Sequence, residues 1–202
     1  MLGFVRPYFD AKFSGHPEHE LEKFGVGESG AVELVKCGGI VGKFFDAPAR
    51  ALYAPVYVRN AETAAGLVSD TGLNEALDMA RRAALVVFSV GSLSERATML
   101  QLGYINSTEK EFLESKGAVG DIACRWIDAN GDPVELPPTI HPIGISLSEL
   151  RQIPDRLLVA GGMSKTKAIL ASLRGGYATH LITDEAVATA LLAESSSGSS
   201  KQ

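Results

Sequence analysis

Short apolar runs alternate with helix-forming segments from residue 51 to residue 193. Along this stretch the order is strand, helix, strand, helix, hairpin, strand, helix, strand and helix. Alternation of this kind predicts an α/β fold with a mainly parallel sheet and helices on both faces. The continuous apolar run Ala84–Val90 is typical of a buried parallel strand. In such sheets ligands bind beyond the carboxyl ends of the strands, so residues that follow strands are the candidates for a site.

Periodicity and turn signals place the individual elements. Helices are predicted over residues 74–82, 107–116, 148–153, 164–174 and 184–193. Strands are predicted over residues 51–58, 84–90, 121–128, 133–136, 143–145, 156–160 and 180–183, and Ala-Asn-Gly-Asp at 129–132 is a strong hairpin-turn signal. Residues 30–45 fit either a helix or a strand that runs into a glycine loop. We assign residues 1–28 to an irregular segment, 29–194 to one α/β domain and 195–202 to a disordered tail.

Composition narrows the function classes. The net charge is −5, and the 19 Lys and Arg residues form no dense basic block, so the chain is a poor stand-alone binder of duplex DNA. The two cysteines, Cys37 and Cys124, are too few for a disulfide framework and are predicted to be small core residues in a reducing cytoplasm. The sequence contains neither a signal peptide nor an apolar run of about 18 residues, so we expect no membrane association.

The strongest candidate for ligand binding is the loop after the strand at 156–160. Gly161 and Gly162 there let backbone amides approach an anion at the start of a helix, and Lys165 adds a positive charge. A glycine pair can equally serve only as a tight strand-to-helix turn, and lysine is common on surfaces. The spacing matches neither a phosphate-binding P-loop nor a dinucleotide fingerprint.

Three other strand ends carry polar residues. Gly91 and Ser92 follow the run at 84–90, and Ser92 lacks the pattern of a hydrolase nucleophile. Asp121 can accept hydrogen bonds from sugar hydroxyls or hold the preceding glycine loop through its amides. Thr183, Asp184 and Glu185 are best explained as the cap and first turn of the last helix. His16 and His19 do not make a metal site, and we predict no catalytic residue, metal or cofactor.

Six stretches resemble the C-terminal effector-binding domain of SorC/DeoR-type bacterial transcriptional regulators. They are ARALYAPVYV, ARRAALVVFSVGSL, KGAVGDIACRWIDANGD, IGISLSELRQIP, VAGGMSKTKAILASLRGG and HLITDEAVATALL, in the family's order, over roughly residues 47–193. The resemblance implies a Rossmann-like sheet similar to sugar-phosphate isomerases, a phosphorylated sugar or related metabolite as ligand, and no catalysis. It implies that Asp121 contacts ligand hydroxyls, that Lys165 contacts the phosphate or sugar, and that Gly91 and Ser92 line the same cleft.

The resemblance also implies a homo-oligomer, dimer or tetramer, that reaches DNA through a helix-turn-helix domain that this chain lacks. The family's effector domain opens with a strand and a Trp-Gly-x-Thr-like loop that helps to hold phosphate, and residues 1–46 show no equivalent. Two other interpretations remain open. One is a sugar-phosphate isomerase or a Schiff-base lyase that uses Lys165, with Glu185 as a possible base, and the other is a truncated oligomerisation fragment.

Overall fold

A computed structural model describes residues 52–94 and 97–198, and the elements below all belong to the unit Tyr53–Gln202. The strands are β1 (Tyr57–Val58), β2 (Leu85–Phe88), β3 (Val90–Ser92), β4 (Ala118–Ile122), β5 (Arg125–Asp128), β6 (His141–Pro142), β7 (Asp155–Val159) and β8 (His180–Ile182). The helices are α1 (Ala61–Ser69), α2 (Thr71–Arg81), α3 (Thr98–Gln101), α4 (Ser107–Ser115), α5 (Leu147–Gln152), α6 (Thr166–Arg174) and α7 (Glu185–Gly198), with a 3-10 turn at Met163–Lys165.

Several sequence predictions fall outside the described residues. They are the irregular segment 1–28, the two alternatives for 30–45, the burial of Cys37, the interpretation of His16 and His19, and the search for a phosphate loop in 1–46. Within the described part of the chain, no helix is long and apolar enough to cross a membrane.

The parallel sheet has the strand order β2-β7-β8. In its register Phe88 lies opposite Leu158, and Leu158 lies opposite Leu181. These apolar side chains face one core cluster, to which α5, α6 and α7 contribute Leu150, Ile169 and Val187, among others. The α/β class and the parallel sheet are therefore confirmed, since short apolar strands bury one face against amphipathic helices.

The opposite face of the parallel sheet is unevenly covered. Leu157, the partner of Val87 in the register, is only 6% exposed, whereas Leu85 is 49% exposed, Val87 is 60% exposed and Val159 is 40% exposed. Among these four residues, burial on this face is therefore deepest at the middle of β7.

The predicted strand Ala84–Val90 is divided between two sheets. Residues 85–88 form β2 of the parallel sheet, and residues 90–92 form β3 of an antiparallel sheet with the order β3-β4-β5. Ser89 lies at the crossing point. The apolar run alone predicts that Gly91 and Ser92 follow a strand, but they lie inside one. The change of partner strand at Ser89 depends on tertiary pairing, which the hydrophobicity pattern does not record.

The predicted strand Asp121–Asp128 is also wrong in its boundaries. It is a hairpin in which Ile122 pairs with Arg125, so only Ala123 and Cys124 form the turn, with φ of 49° and 64°. Positive φ at both central positions is the pattern of a type I′ turn, which favours Asn-Gly, and that dipeptide is absent here. Asp121 is consequently the fourth residue of β4 and not the first residue of a strand.

The hairpin turn that the sequence predicts at 129–132 is confirmed. Asp128 Oδ1 accepts from the N–H groups of Asn130 and Asp132, at 2.8 and 2.9 Å, and Gly131 has a φ of 87°. Beyond this turn Pro133 makes one isolated bridge to Ile127 instead of the predicted strand 133–136. The strand predicted at 143–145 lies slightly earlier, as β6, where it pairs antiparallel with β1.

The predicted helices are found with small shifts. Helices α4 and α5 begin with capping boxes, Asn106 with Glu109 and Ser146 with Glu149, in which each pair satisfies two backbone N–H groups. Helix α1 was not predicted from the sequence. Helix α7 runs to Gly198, four residues into the predicted disordered tail that begins at residue 195, and residues 199–202 lie outside the description.

Candidate functional site

A cleft of about 310 Å³ lies at the carboxyl edge of the parallel sheet. This volume is at the lower end of the roughly 300–1,000 Å³ usual for small-molecule sites. Its lining comes from the last residues of β7 and β8, from the residues that follow the three parallel strands and from the turn after β7: Ser89, Val159, Ala160, Gly161, Lys165, Ile182, Thr183 and Asp184. The location is where doubly wound sheets bind their ligands.

Lys165 reaches the cleft through the segment between β7 and α6. The chain leaves β7 through Gly161 and Gly162, takes a φ of 90° at Gly162, and makes the 3-10 turn in which the Lys165 N–H donates to the Gly162 carbonyl at 2.9 Å. Only glycine adopts such a φ without cost, which explains its presence at 162. Strand β3 packs against the turn, so Gly91 and Ser92 lie near the segment that carries Lys165.

The amide of Gly162 already has a partner. Its N–H donates to Asp184 Oδ2 at 2.6 Å, and Asp184 Oδ1 accepts from the Val187 N–H at 2.9 Å. Asp184 therefore caps α7, as the sequence indicated, and also holds the glycine loop. These amide donors, that of Val187 foremost, lower the pKa of the Asp184 carboxyl, which stays charged at neutral pH.

Asp121 lies below this surface, only 7% exposed. Its Oδ2 accepts from the Cys124 N–H at 3.0 Å and so holds the two-residue turn that follows it, rather than the glycine loop that precedes it. Burial raises the pKa of Asp121 to about 6, against the lowering effects of the Cys124 amide and the positive charge of Lys165. Asp121 and Lys165 are thus electrostatic neighbours, although Asp121 does not line the cleft.

The neighbours of Asp121 are shaped around it. Gly91 is its cross-strand partner, and a Cβ at Gly91 would collide with the Asp121 carboxylate. Cys124 is half-buried, and burial is the main cause that raises the pKa of its thiol to about 12, so it is an unreactive thiol at neutral pH. Its carbonyl accepts a hydrogen bond from the Tyr57 hydroxyl at 2.8 Å.

The structure therefore groups the six predicted residues in two layers. Gly161 and Lys165 line the cleft, and Gly162 is bound to Asp184 behind it. Gly91, Ser92 and Asp121 lie in the antiparallel sheet next to the Lys165 turn, with the Ser92 and Ser94 hydroxyls 3.0 Å apart.

Sequence reasoning did not assign three polar residues of the cleft to a site. Ser89 was a polar residue within an apolar run, and this was the one available signal that the strand ends there. Thr183 and Asp184 had been explained as capping residues only. The Thr183 Oγ1 is buried and has no hydrogen-bond partner among the described residues.

Comparisons with known proteins agree with this architecture. A parallel sheet with a cleft at its carboxyl edge, lined by both polar and apolar residues, is typical of small-molecule-binding α/β domains. Residues 27–193 match the family described as a sugar-binding domain, and the chain belongs to that family. Its relatives are bacterial transcriptional regulators of the DeoR and SorC type.

Two relatives illustrate the similarity in sequence. The deoxyribonucleoside regulator of Bacillus subtilis is 36% identical over 148 residues, which are 73% of this chain and 47% of that protein. The transcriptional regulator LsrR of an Enterobacter species is 38% identical over 143 residues, 69% of this chain and 44% of that protein. The chain therefore spans about half the length of the relatives it matches.

Two solved structures show the similarity in fold. A DeoR family transcriptional regulator from Listeria monocytogenes superposes with a TM-score of 0.71 at 30% identity, over 75% of this chain and 61% of that one. The full-length sorbitol operon regulator SorC from Klebsiella pneumoniae superposes with a TM-score of 0.69 at 23% identity, over 75% of this chain and 49% of that one. At this lower identity the SorC similarity concerns the fold alone.

Proposed function

We propose that the cleft binds a phosphorylated sugar or a related metabolite as an effector and does not convert it. The observation that supports this most is the position of Lys165 at the carboxyl edge of the parallel sheet, between the ends of β7 and β8. A lysine ammonium donates to hydroxyl, carbonyl or phosphate oxygens, and the nearby carboxylates accept from hydroxyls. One ammonium group together with nearby carboxylates suits a polyhydroxylated anion as the ligand.

In this proposal each predicted residue has a role. Lys165 contacts the ligand, and Asp121 acts from the layer beneath, where its charge and its hold on the turn set the shape of the site. Gly161 and Gly162 keep the backbone close to the ligand, and Gly91 and Ser92 complete the wall near the Lys165 turn.

The named relatives support a regulatory role. The Bacillus relative is named for deoxyribonucleosides, and we infer a chemically related class of effector for this chain. In a full-length regulator, effector binding would shift the population of a homo-oligomer, dimer or tetramer, whose helix-turn-helix domain contacts operator DNA. The same inference assigns the protein to the cytoplasm.

A thermal-shift screen tests this proposal. Pairs of sugars and their phosphate esters are added to the wild-type chain, since a ligand that binds only the folded state raises the Tm by mass action. We expect one ester to raise the Tm, with no turnover of that ester on prolonged incubation. Conversion of the ester would favour the isomerase or lyase, and no shift across the panel would favour an oligomerisation fragment.

Two lysine variants locate the binding site. Lys165→Ala should weaken binding of the active ester at least tenfold, because it removes the positive charge from the cleft. The matched control is Lys167→Ala, two residues further along the same segment, where the side chain is exposed and does not line the cleft. Equal losses in both variants would contradict the placement of the ligand at Lys165.

A further inference from the structure

The glycine loop after β7 has the form of an anion-binding loop, but its anion is part of the protein. The N–H of Gly162 points at Asp184 Oδ2, at 2.6 Å, where the oxygen of a bound phosphate would otherwise be expected. The other oxygen of the same carboxylate accepts from Val187, in the first turn of α7. Asp184 thus joins the loop that carries Lys165 to the start of the last helix.

The sequence leaves room for this carboxylate. A Cβ at Gly161 would lie 2.7 Å from Asp184 Oδ2, so any side chain at 161 would press against the oxygen that holds Gly162. The two glycines therefore serve an internal carboxylate. A ligand phosphate at the same amide would have to displace it.

The charges of the cleft lead to the same conclusion. Among the described residues that line it, Lys165 is the cation and Asp184 is the anion. A phosphate between them would gain from the lysine and be repelled by the carboxylate. A neutral diol, by contrast, accepts from the ammonium and donates to the carboxylate, so both groups gain a partner.

We propose that Asp184 is a specificity residue, whose carboxylate reserves the space between β7 and β8 for a neutral, hydroxyl-bearing part of the ligand and excludes phosphate from it. The inference rests on the proposed function and refines it, because it specifies which part of an effector this cleft holds. A phosphate carried by the effector is then bound away from the Gly161–Gly162 loop.

The test compares the wild-type chain with Asp184→Asn, with inorganic phosphate as the probe. Asparagine removes the charge and keeps one side-chain oxygen, which can still accept from the Val187 amide, while its NH2 group replaces the oxygen that accepts from Gly162 and so frees that amide. We expect Asp184→Asn to bind phosphate at least tenfold more tightly than the wild type. In a ¹⁵N-resolved NMR titration, the amide signals of Gly162 and Lys165 should move with phosphate in the variant only. Equal phosphate affinity in the two proteins would overturn the proposal.

Three further variants make the result specific. Asp70→Asn is the matched control, because Asp70 also caps a helix, accepting from the Gly72 N–H at 3.1 Å, yet does not line the cleft. It should leave phosphate affinity unchanged. Lys165→Ala combined with Asp184→Asn should lose the gained affinity. If Asp184→Asn is unstable, Asp184→Ser replaces it, since serine is also a good cap without charge.

Failure of this proposal and failure of the proposed function give different results. If no sugar or ester shifts the wild-type Tm, the effector role is refuted, while the phosphate comparison still tests the exclusion by Asp184. If an ester binds but wild type and Asp184→Asn take up phosphate equally, the effector role stands and the role of Asp184 is refuted.

Discussion

The buried hairpin β4–β5 and the exposed carboxyl edge of the parallel sheet each pack a carboxylate against a glycine, but the pKa of the carboxylate shifts in opposite directions in the two regions. In each, a carboxylate occupies the space beside a glycine: Asp121 beside Gly91, and Asp184 beside Gly161. Burial raises the pKa of Asp121 to about 6, whereas amide donors at an open surface lower the pKa of Asp184. The comparison shows that the surroundings of a carboxylate, and not its glycine neighbour, decide whether it is held as a charge.

The largest expected difference between the two regions concerns the glycines. Gly91→Ala forces the Asp121 carboxylate out of a buried position and should lower the free energy of unfolding by about 3 kcal/mol, or the Tm by roughly 10 °C. Gly161→Ala should lower it by only about 1 kcal/mol, because exposed Asp184 can rotate into solvent. Urea unfolding followed through Trp126, the single tryptophan and a buried one, measures both. Equal losses of unfolding free energy in the two variants would mean that the Asp121 and Asp184 carboxylates are held with the same rigidity.

The second prediction tests the charge state of Asp121. A folded-state pKa of about 6, above the usual 3.8, means that the folded protein binds more protons than the unfolded chain between these values. Stability therefore falls as pH rises from about 4 to about 6, by roughly 2–3 kcal/mol. Asp121→Asn, which keeps an acceptor for the Cys124 amide, should remove this decrease and be the more stable protein at pH 7. Parallel stability–pH profiles for wild type and variant would contradict the assignment.

The smallest expected effect concerns the turn that Asp121 holds. Ala123 has a φ of 49°, a region in which asparagine is better tolerated than alanine. Ala123→Asn should raise the free energy of unfolding by about 0.5 kcal/mol, and Ala123→Val should lower it, because a β-branched residue is strained there. Thermal melts of the two variants and the wild type measure the sign of each change in stability. A more stable Ala123→Val variant would contradict the proposed backbone strain at residue 123.

Local chemistry was predictable from sequence, and non-local pairing was not. The turn at 129–132 and the capped start of α7 were visible because Asn-Gly and Asp act within a few residues of themselves. Lys165 could be found because strand, glycine loop and helix follow one another directly. The bond between Gly162 and Asp184 joins residues 22 apart, so the sequence showed the cap and hid its second partner.

The antiparallel hairpin was missed for a related reason. Ala123-Cys124 carries none of the residues that usually mark a two-residue turn, and the stabilising group is the Asp121 side chain, buried within the preceding strand. The resemblance implied a ligand contact for Asp121, which stays a prediction. It gave no warning that the residue also supports the fold, so its replacement by alanine should affect stability together with binding.

One uninterrupted segment, Leu85–Ser92, supplies a strand to each of the two three-stranded sheets. Neither sheet can open far without disturbing the backbone that anchors the other, because only Ser89 separates β2 from β3. The amide hydrogens of both sheets should therefore exchange with solvent through a common opening, as one cooperative unit. Ser89 also lines the cleft, so an occupant there touches the junction on which the integrity of both sheets depends.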